Sequence, residues 1–334
     1  MPLKDVTIDI SVQKVAGLVG LGKPLIVGTK TGGAAFKNYS DLEGLEADFP
    51  KETDVYKKAL AILGQQNRPA TFAVAAYDPE PLGAETAADL VRTLLDEDWF
   101  FLVTTETDVA KIEAVADVIE GTERLFSTQV STLTDLQTLK LKNYDHTFVA
   151  VHKTAGEHVD AANVGENGSK TVGSITWKFK SLVGITPQKY SVAEVMDIHD
   201  AGGYVYITKA GKNQTSEGHL VSGEYIDVLH GKAWVQINGE NAIQVLMQSS
   251  PKVPYTNSGI GQMEAALISV FTRAFQQGII AEDADKLPIF STNFPTREET
   301  SAADRSARVY DLATFEFELA GAIHEARVTG SIKK

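Results

Sequence analysis

Phe100-Phe-Leu-Val-Thr104, Val109-Ala-Lys-Ile-Glu-Ala-Val-Ala-Asp-Val-Ile119 and Leu125-Phe-Ser-Thr-Gln129 follow one another with only short breaks. The outer two are short apolar runs of strand length, and the middle one carries apolar residues at helical spacing. A strand, a helix of about ten residues and a second strand make the unit from which parallel sheets are built. The same alternation extends in both directions. Leu25–Gly28, Thr71–Ala76 and Thr147–Val151 read as further strands, and Val55–Leu63, Thr86–Leu95 and Leu133–Leu139 as helices. Thr107-Asp108 and Ser131-Thr132 supply helix caps. The pattern predicts an α/β layer with a substantially parallel sheet from Leu25 to Val151.

Beyond it the pattern changes. Gly156 to Gly173 is polar and glycine-containing, with a short helix at its start, and is the best candidate for a domain boundary. Ser174–Phe179, Tyr204–Lys209 and a segment around His219–Val221 then read as strands, with a helix at Val192–Asp200. Two long helices follow, Tyr225–Gln248 and Gly259–Gln277, separated by Pro251 and Pro254. Their broad apolar faces are read as packed core rather than as a cofactor pocket. Thr314–Leu319 alternates Phe315, Phe317 and Leu319 against Thr314, Glu316 and Glu318, and Ala322–Ile332 is a further extended run.

The first dozen residues alternate as well, with Val6, Ile8, Ile10 and Val12 on one face and Thr7, Asp9, Ser11 and Gln13 on the other. This terminal strand is followed by a glycine-rich stretch, Ala16 to Gly22, which predicts a flexible joint. Two strand-forming ends suit addition to a neighbour's sheet edge, or completion of the chain's own sheet.

Composition narrows the chemistry. The 334 residues include no cysteine, which excludes disulfides, thiolate metal sites and a cysteine nucleophile. Asp and Glu number 44 against 31 Lys and Arg, a net charge of -13 that argues against a nucleic-acid binder. The N-terminus has no apolar stretch of signal-peptide type, and Val15 to Gly28, broken by Lys23 and Pro24, is too short to span a bilayer. The expectation is a soluble protein made in a cytoplasm.

No catalytic motif assembles. Gly17-Leu-Val-Gly-Leu-Gly22-Lys23 fits the start of a GxxxxGK phosphate loop, but Pro24 stands where Ser or Thr should hold magnesium, and a strand follows instead of a helix. Gly28 to Gly33 lacks dinucleotide spacing and reads as a tight turn. His146, His152 and His158 are too widely spaced along an extended chain to share one ion. Asp197, His199 and Asp200 read as a solvated helix end, and Glu298-Glu299 lies in loop-like sequence. No cofactor and no metal is expected.

The stretch Gly223-Glu-Tyr-Ile-Asp-Val-Leu-His-Gly-Lys-Ala-Trp234, continuing to Pro251-Lys-Val-Pro254-Tyr255-Thr-Asn-Ser-Gly-Ile260, resembles the contractile phage tail sheath family. Phe275-Gln-Gln-Gly-Ile-Ile-Ala281, Ser306-Ala-Arg-Val-Tyr310-Asp-Leu and Phe315-Glu-Phe-Glu-Leu-Ala-Gly-Ala-Ile-His324 fit the same pattern. The resemblance covers about residues 187–334 and is looser before that.

The resemblance implies a non-enzymatic structural subunit that stacks as hexameric rings around a tail tube and contracts to drive the tube through a cell envelope. It implies an α/β fold, α+β overall: an N-terminal arm and glycine hinge (1–22), a middle α/β domain (23–173), a C-terminal α+β sheath core domain with two long helices (174–320) and a C-terminal arm (321–334). Val6, Ile8, Ile10 and Val12 would form one inter-subunit arm and Ile323, Val328 and Ile332 the other, with Gly17, Gly20 and Gly22 as hinge. Arg305 and Arg308 are candidate tube contacts. Further copies of the chain, the tube protein, a baseplate and a tail terminator would be its partners, without nucleic acid or direct membrane insertion. Its place would be a virion tail, or that of a prophage or phage-tail-like particle, assembled in a bacterial cytoplasm. The competing reading is an α/β nucleotide- or small-molecule-binding enzyme using the strand ends of the middle domain.

Overall fold

The computed structural model describes residues 21–80, 85–154 and 156–330. Val6, Ile8, Ile10, Val12, Gly17, Gly20 and Ile332 lie outside them. The expected strands and helices of the first half are present with small changes of boundary. In chain order they are β1 (Pro24–Thr29), β2 (Ala34–Tyr39), α1 (Leu42–Glu46), α2 (Asp54–Leu63), β3 (Phe72–Tyr77), α3 (Ala87–Thr93), β4 (Phe101–Thr104), α4 (Val109–Ile119), β5 (Leu125–Val130), α5 (Leu133–Lys140) and β6 (Thr147–Val151). Then come α6 (Val159–Asn167), α7 (Val192–Asp200), β7 (Gly203–Tyr204), β8 (Tyr206–Lys209), β9 (Lys212–Thr215), α8 (Ile226–Ser249), α9 (Asn257–Gln276), β10 (Phe290–Asn293), α10 (Ala302–Ala307) and β11 (Thr314–Phe317).

Among the described residues, seven strands form one sheet in the order β2-β3-β1-β4-β5-β6-β7. All neighbours run parallel except β2, which pairs antiparallel with β3. The central strands are apolar without alternation because both faces of a parallel sheet are covered. Ile26, Val74, Val103, Phe148 and Tyr204 face one core with α2 and α6, while Leu25, Val27, Leu102, Phe126 and Val149 face a second core with α3, α4, α5 and α7. Asp108 and Thr132 cap α4 and α5 as expected. The tight turn after Gly28 links β1 to β2, with Gly32 and Gly33 at φ 78° and 68°, and β3 lies between those two strands in the sheet. The edge strand β2 was absent from the sequence reading, since its exposed Lys37 and Asn38 hide the alternation.

The polar stretch Gly156–Gly173 holds the short helix expected at its start, α6, and all nine residues of that helix are buried. Its polar side chains are satisfied by distant partners. Asp160 pairs with Lys58 of α2, Asn163 Nδ2 donates to the Tyr204 hydroxyl at 2.9 Å, and Glu166 accepts from Asn67 Nδ2 at 2.7 Å. Gly165 allows the crossing with α2, because a Cβ there would lie 2.5 Å from the carbonyl oxygen of Ile62. The sheet also crosses the expected boundary at 173, since β7 pairs with β6.

Two predicted strands are absent. Ser174–Phe179 is irregular: Trp177 turns into the first core against Phe101 and Phe148, and Phe179 adopts φ 67°. A residue in that left-handed region breaks a strand. Around His219–Val221 a single bridge joins His219 to Tyr225, closing the turn that launches α8. α8 begins in the first core with Ile226, Ala233 and Ile237 and continues into a third, where Trp234, Val235 and Ile243 meet Leu267, Val270, Phe271 and Ala274 of α9. The two long helices are therefore core elements, and α8 joins the sheet body to the C-terminal layer.

Candidate assembly interface

Phe271 on α9 organises the C-terminal layer. Its ring lies 5.1 Å from Phe290, 5.1 Å from Phe315 and 6.0 Å from Phe317. β10 and β11 pair antiparallel with Phe290 opposite Phe317 and Thr292 opposite Phe315, so the aromatic face points at α9 and Glu316 points away. The predicted alternation over Thr314–Phe317 is thus present. The cover is incomplete, however: Phe275, Phe290, Phe294, Phe315, Phe317 and Leu319 are only partly buried. Among the described residues the sheet has only these two strands, so it offers open edges.

Exposed apolar side chains concentrate in the same half. Of the large ones among the described residues, only Leu60 and Leu141 precede residue 179; Val245, Ile268, Leu287, Val309 and Leu312 belong to α8, α9 and the segments that follow. Ile323 and Val328 are 84% and 92% exposed. Both lie in 321–330, which contains no strand. The extended run expected at Ala322–Ile332 is therefore unpaired over its described residues.

The other expected site residues divide. Gly22 is a close-approach position rather than a free hinge, since a Cβ would sit 2.7 Å from the carbonyl oxygen of Gly168 and 2.8 Å from Ser169 Cα. Arg305 is engaged within the chain: its guanidinium donates to the Arg297 carbonyl at 3.0 Å and to Thr300, holding the turn before α10. Arg308 is exposed at the end of α10, in the left-handed region at φ 59°.

A grouping missed in the sequence lies where the C-terminal segment crosses the body. His324 Nε2 is 2.6 Å from Thr176 Oγ1, and its ring stands edge-on to Tyr225 at 4.8 Å. Its Nδ1 lies 3.8 Å from Glu217 Oε2. Glu217 is itself paired with Lys178, and His199 Nδ1 stands 4.0 Å from the same carboxylate. No local spacing signals this set, because its members come from four distant segments.

His199 also brings a serine–histidine pair, with Nε2 2.8 Å from Ser216 Oγ. It does not amount to a nucleophile. Ser216 is buried, its Oγ accepts the Val205 amide at 3.0 Å and its own amide donates to the Val205 carbonyl. The Glu217 contact to His199 exceeds hydrogen-bond length, so that carboxylate does not orient the ring. Burial pushes the His199 imidazole below its ordinary range. Lys23 of the phosphate-loop-like stretch pairs with Asp98 at 3.0 Å and leads straight into β1. Among the described residues no group of three or more acidic or histidine side chains is placed to hold a metal, and no helix is long and apolar enough to cross a membrane.

No family model matches the chain, and no curated protein matches it in sequence. Solved structures do. The chain aligns over 99% of its length with 99% of a chain in the contracted-state baseplate of the anti-feeding prophage, at TM-score 0.71 and 10% identity. It aligns over 98% with 97% of a chain in the contracted sheath complex of the PVC extracellular contractile injection system, at 0.67 and 12%. Over 86% it also matches 93% of a sheath tail protein from Desulfitobacterium hafniense, at 0.52 and 10%. The chain has the contractile-sheath fold. That fold takes in both the parallel-sheet body and the layer built on α8 and α9, as the near-complete coverage requires, and it matches the α/β, α+β overall architecture expected from sequence.

Proposed function

We propose that this chain is the structural subunit of a contractile, phage-type tail sheath. It polymerises as stacked hexameric rings around a tail tube, and the array contracts to drive the tube through a cell envelope. The observation that carries this reading is the half-covered aromatic layer on α9, with its open two-stranded sheet and unpaired C-terminal segment, in a chain whose fold is that of sheath proteins. A lone chain leaves these groups wet; a neighbour covers them.

In this reading Val6, Ile8, Ile10 and Val12 form an N-terminal arm with Gly17 and Gly20 in its hinge, and Val328 and Ile332 pair with a neighbour. The body (23–173) lies outside and the core (174–320) inside, with β7 and α8 bridging them. Arg308, rather than Arg305, faces the tube. A baseplate and a terminator complete the particle, the role is structural and not catalytic, and assembly takes place in a bacterial cytoplasm.

Negative-stain electron microscopy of the purified protein, alone and together with its tube protein, tests the reading. Hollow tubes or stacked rings are expected, and deleting residues 1–14 should leave a folded monomer that no longer polymerises. Normal tubes from that deletion would sink the arm assignment. Dispersed particles under every condition, tube protein included, would sink the sheath reading.

A further inference from the structure

Of the ten described residues from 321 to 330, His324 alone is not exposed. Its neighbours Ile323 and Glu325 point into solvent, while its ring fits between Tyr225 at 4.8 Å and Phe179 at 6.1 Å. Thr176 Oγ1 meets its Nε2 at 2.6 Å, and Glu217 lies beneath its Nδ1 at 3.8 Å. The floor of this socket is fixed without the histidine. Glu217 is held by Lys178, and the Trp177 carbonyl, one residue from Thr176, accepts from Thr215 Oγ1 at 2.8 Å. Asp227 Oδ1 is buried nearby without a hydrogen-bond partner, and burial pushes that carboxyl up from its ordinary range. Among the described residues no backbone hydrogen bond ties 322–330 to the body.

We infer that His324 is a plug. One side chain in a preformed socket holds the C-terminal strap on its own subunit and divides it into a fixed base, up to residue 324, and a free run beyond. In an extended chain side chains alternate, so Val328 shares the His324 face and Ile323 takes the other. Val328 is nevertheless 92% exposed, so a seated plug tethers this run without covering it, and an emptied socket frees the whole strap for a neighbour. With one hydrogen bond and two ring contacts holding it, the strap opens as a small local unit well before the sheet does. What the strap reaches when it opens rests on the sheath reading; the plug is a property of the single chain.

Arg327, exposed three residues beyond the plug, gives a direct readout. Limited trypsin digestion of the full-length dispersed protein, followed by mass spectrometry, measures the rate of cleavage after Arg327. His324→Ala should raise that rate about tenfold, as losing one net hydrogen bond with its ring contacts raises the open population, with the thermal midpoint unchanged. Thr176→Val leaves the strap's own sequence intact and should accelerate the same cut. An unchanged rate in both variants overturns the plug, and so does acceleration by His324→Ala alone, which would seat the histidine elsewhere. Neither rate depends on polymerisation, so failure of the sheath reading would show separately, as absence of tubes.

Discussion

His230 is a histidine with no use for its charge. It lies on α8, stacked on Phe100 at 5.0 Å and edge-on to Phe101 at 5.2 Å, and its Nε2 donates to the Leu21 carbonyl at 2.7 Å. Burial holds its pKa at about 4, below the ordinary 6.5. The neutral ring is what the folded chain accommodates, whereas the unfolded chain protonates it freely. Its contribution to stability is therefore fully present above pH 6.5 and is lost as pH falls from 6.5 toward 4. Urea unfolding across that window should show stability declining with acid. His230→Gln, which keeps an N–H for Leu21, should reduce the proton uptake linked to unfolding near pH 5 by about one proton. An identical pH slope in the variant would mean that the ring is not held neutral. Leu21 directly precedes Gly22, whose backbone packs on Gly168 and Ser169, so the chain entering β1 is fastened at two adjacent residues. A glycine run reads as a joint in sequence; its last member is instead a contact, and the difference lies in residues about 145 positions away, with no local trace.

At the scale of elements, what was legible was whatever a single segment decides. The parallel strands carry their burial in their own composition, and α4 and α5 carry their caps, so these were read almost to the residue. What was hidden depends on pairing. The burial of α6 was hidden, although a short helix was expected there, because the partners that make its Asp160, Asn163 and Glu166 tolerable in a core sit on other elements. β10, at four residues, has too short a pattern to stand out until β11 is placed beside it. The pair depends on Phe271, which is fully buried against three rings drawn from both strands. Phe271→Ala should cost about 3–5 kcal/mol of local stability, the usual range for emptying a buried aromatic site. Because this layer forms a hydrophobic cluster separate from the two sheet cores, the loss should stay local. Amide exchange is expected to accelerate in Phe290–Asn293 and Thr314–Phe317 while β1, β4 and β5 keep their protection. Uniform loss of protection would mean that the layer and the sheet unfold as one unit.

At the scale of the whole molecule, the fold and the proposed assembly surface were legible to different depths. The alternation of strands and helices fixed the class of the body. The surface emerged only from burial, as aromatic side chains that the lone chain leaves partly wet and a strap held by one plug. Charge then governs what these surfaces can do. Each chain carries a net charge of -13, so like subunits repel before their apolar faces can meet. The repulsion is long-ranged and screened by salt, with a Debye length of about 10 Å at 0.1 M, whereas aromatic burial is short-ranged and changes little over that range. Polymerisation, once established by microscopy, should therefore begin at a lower protein concentration as salt rises from about 20 mM to about 500 mM, where the Debye length contracts severalfold. Sedimentation of polymer across a salt series reads this threshold. A threshold that rises with salt would mean that opposite charges at the interface outweigh the net repulsion. The contacts would then be salt bridges rather than the aromatic layer, and the surface on α9 would lose its claim to be the place where neighbouring subunits meet.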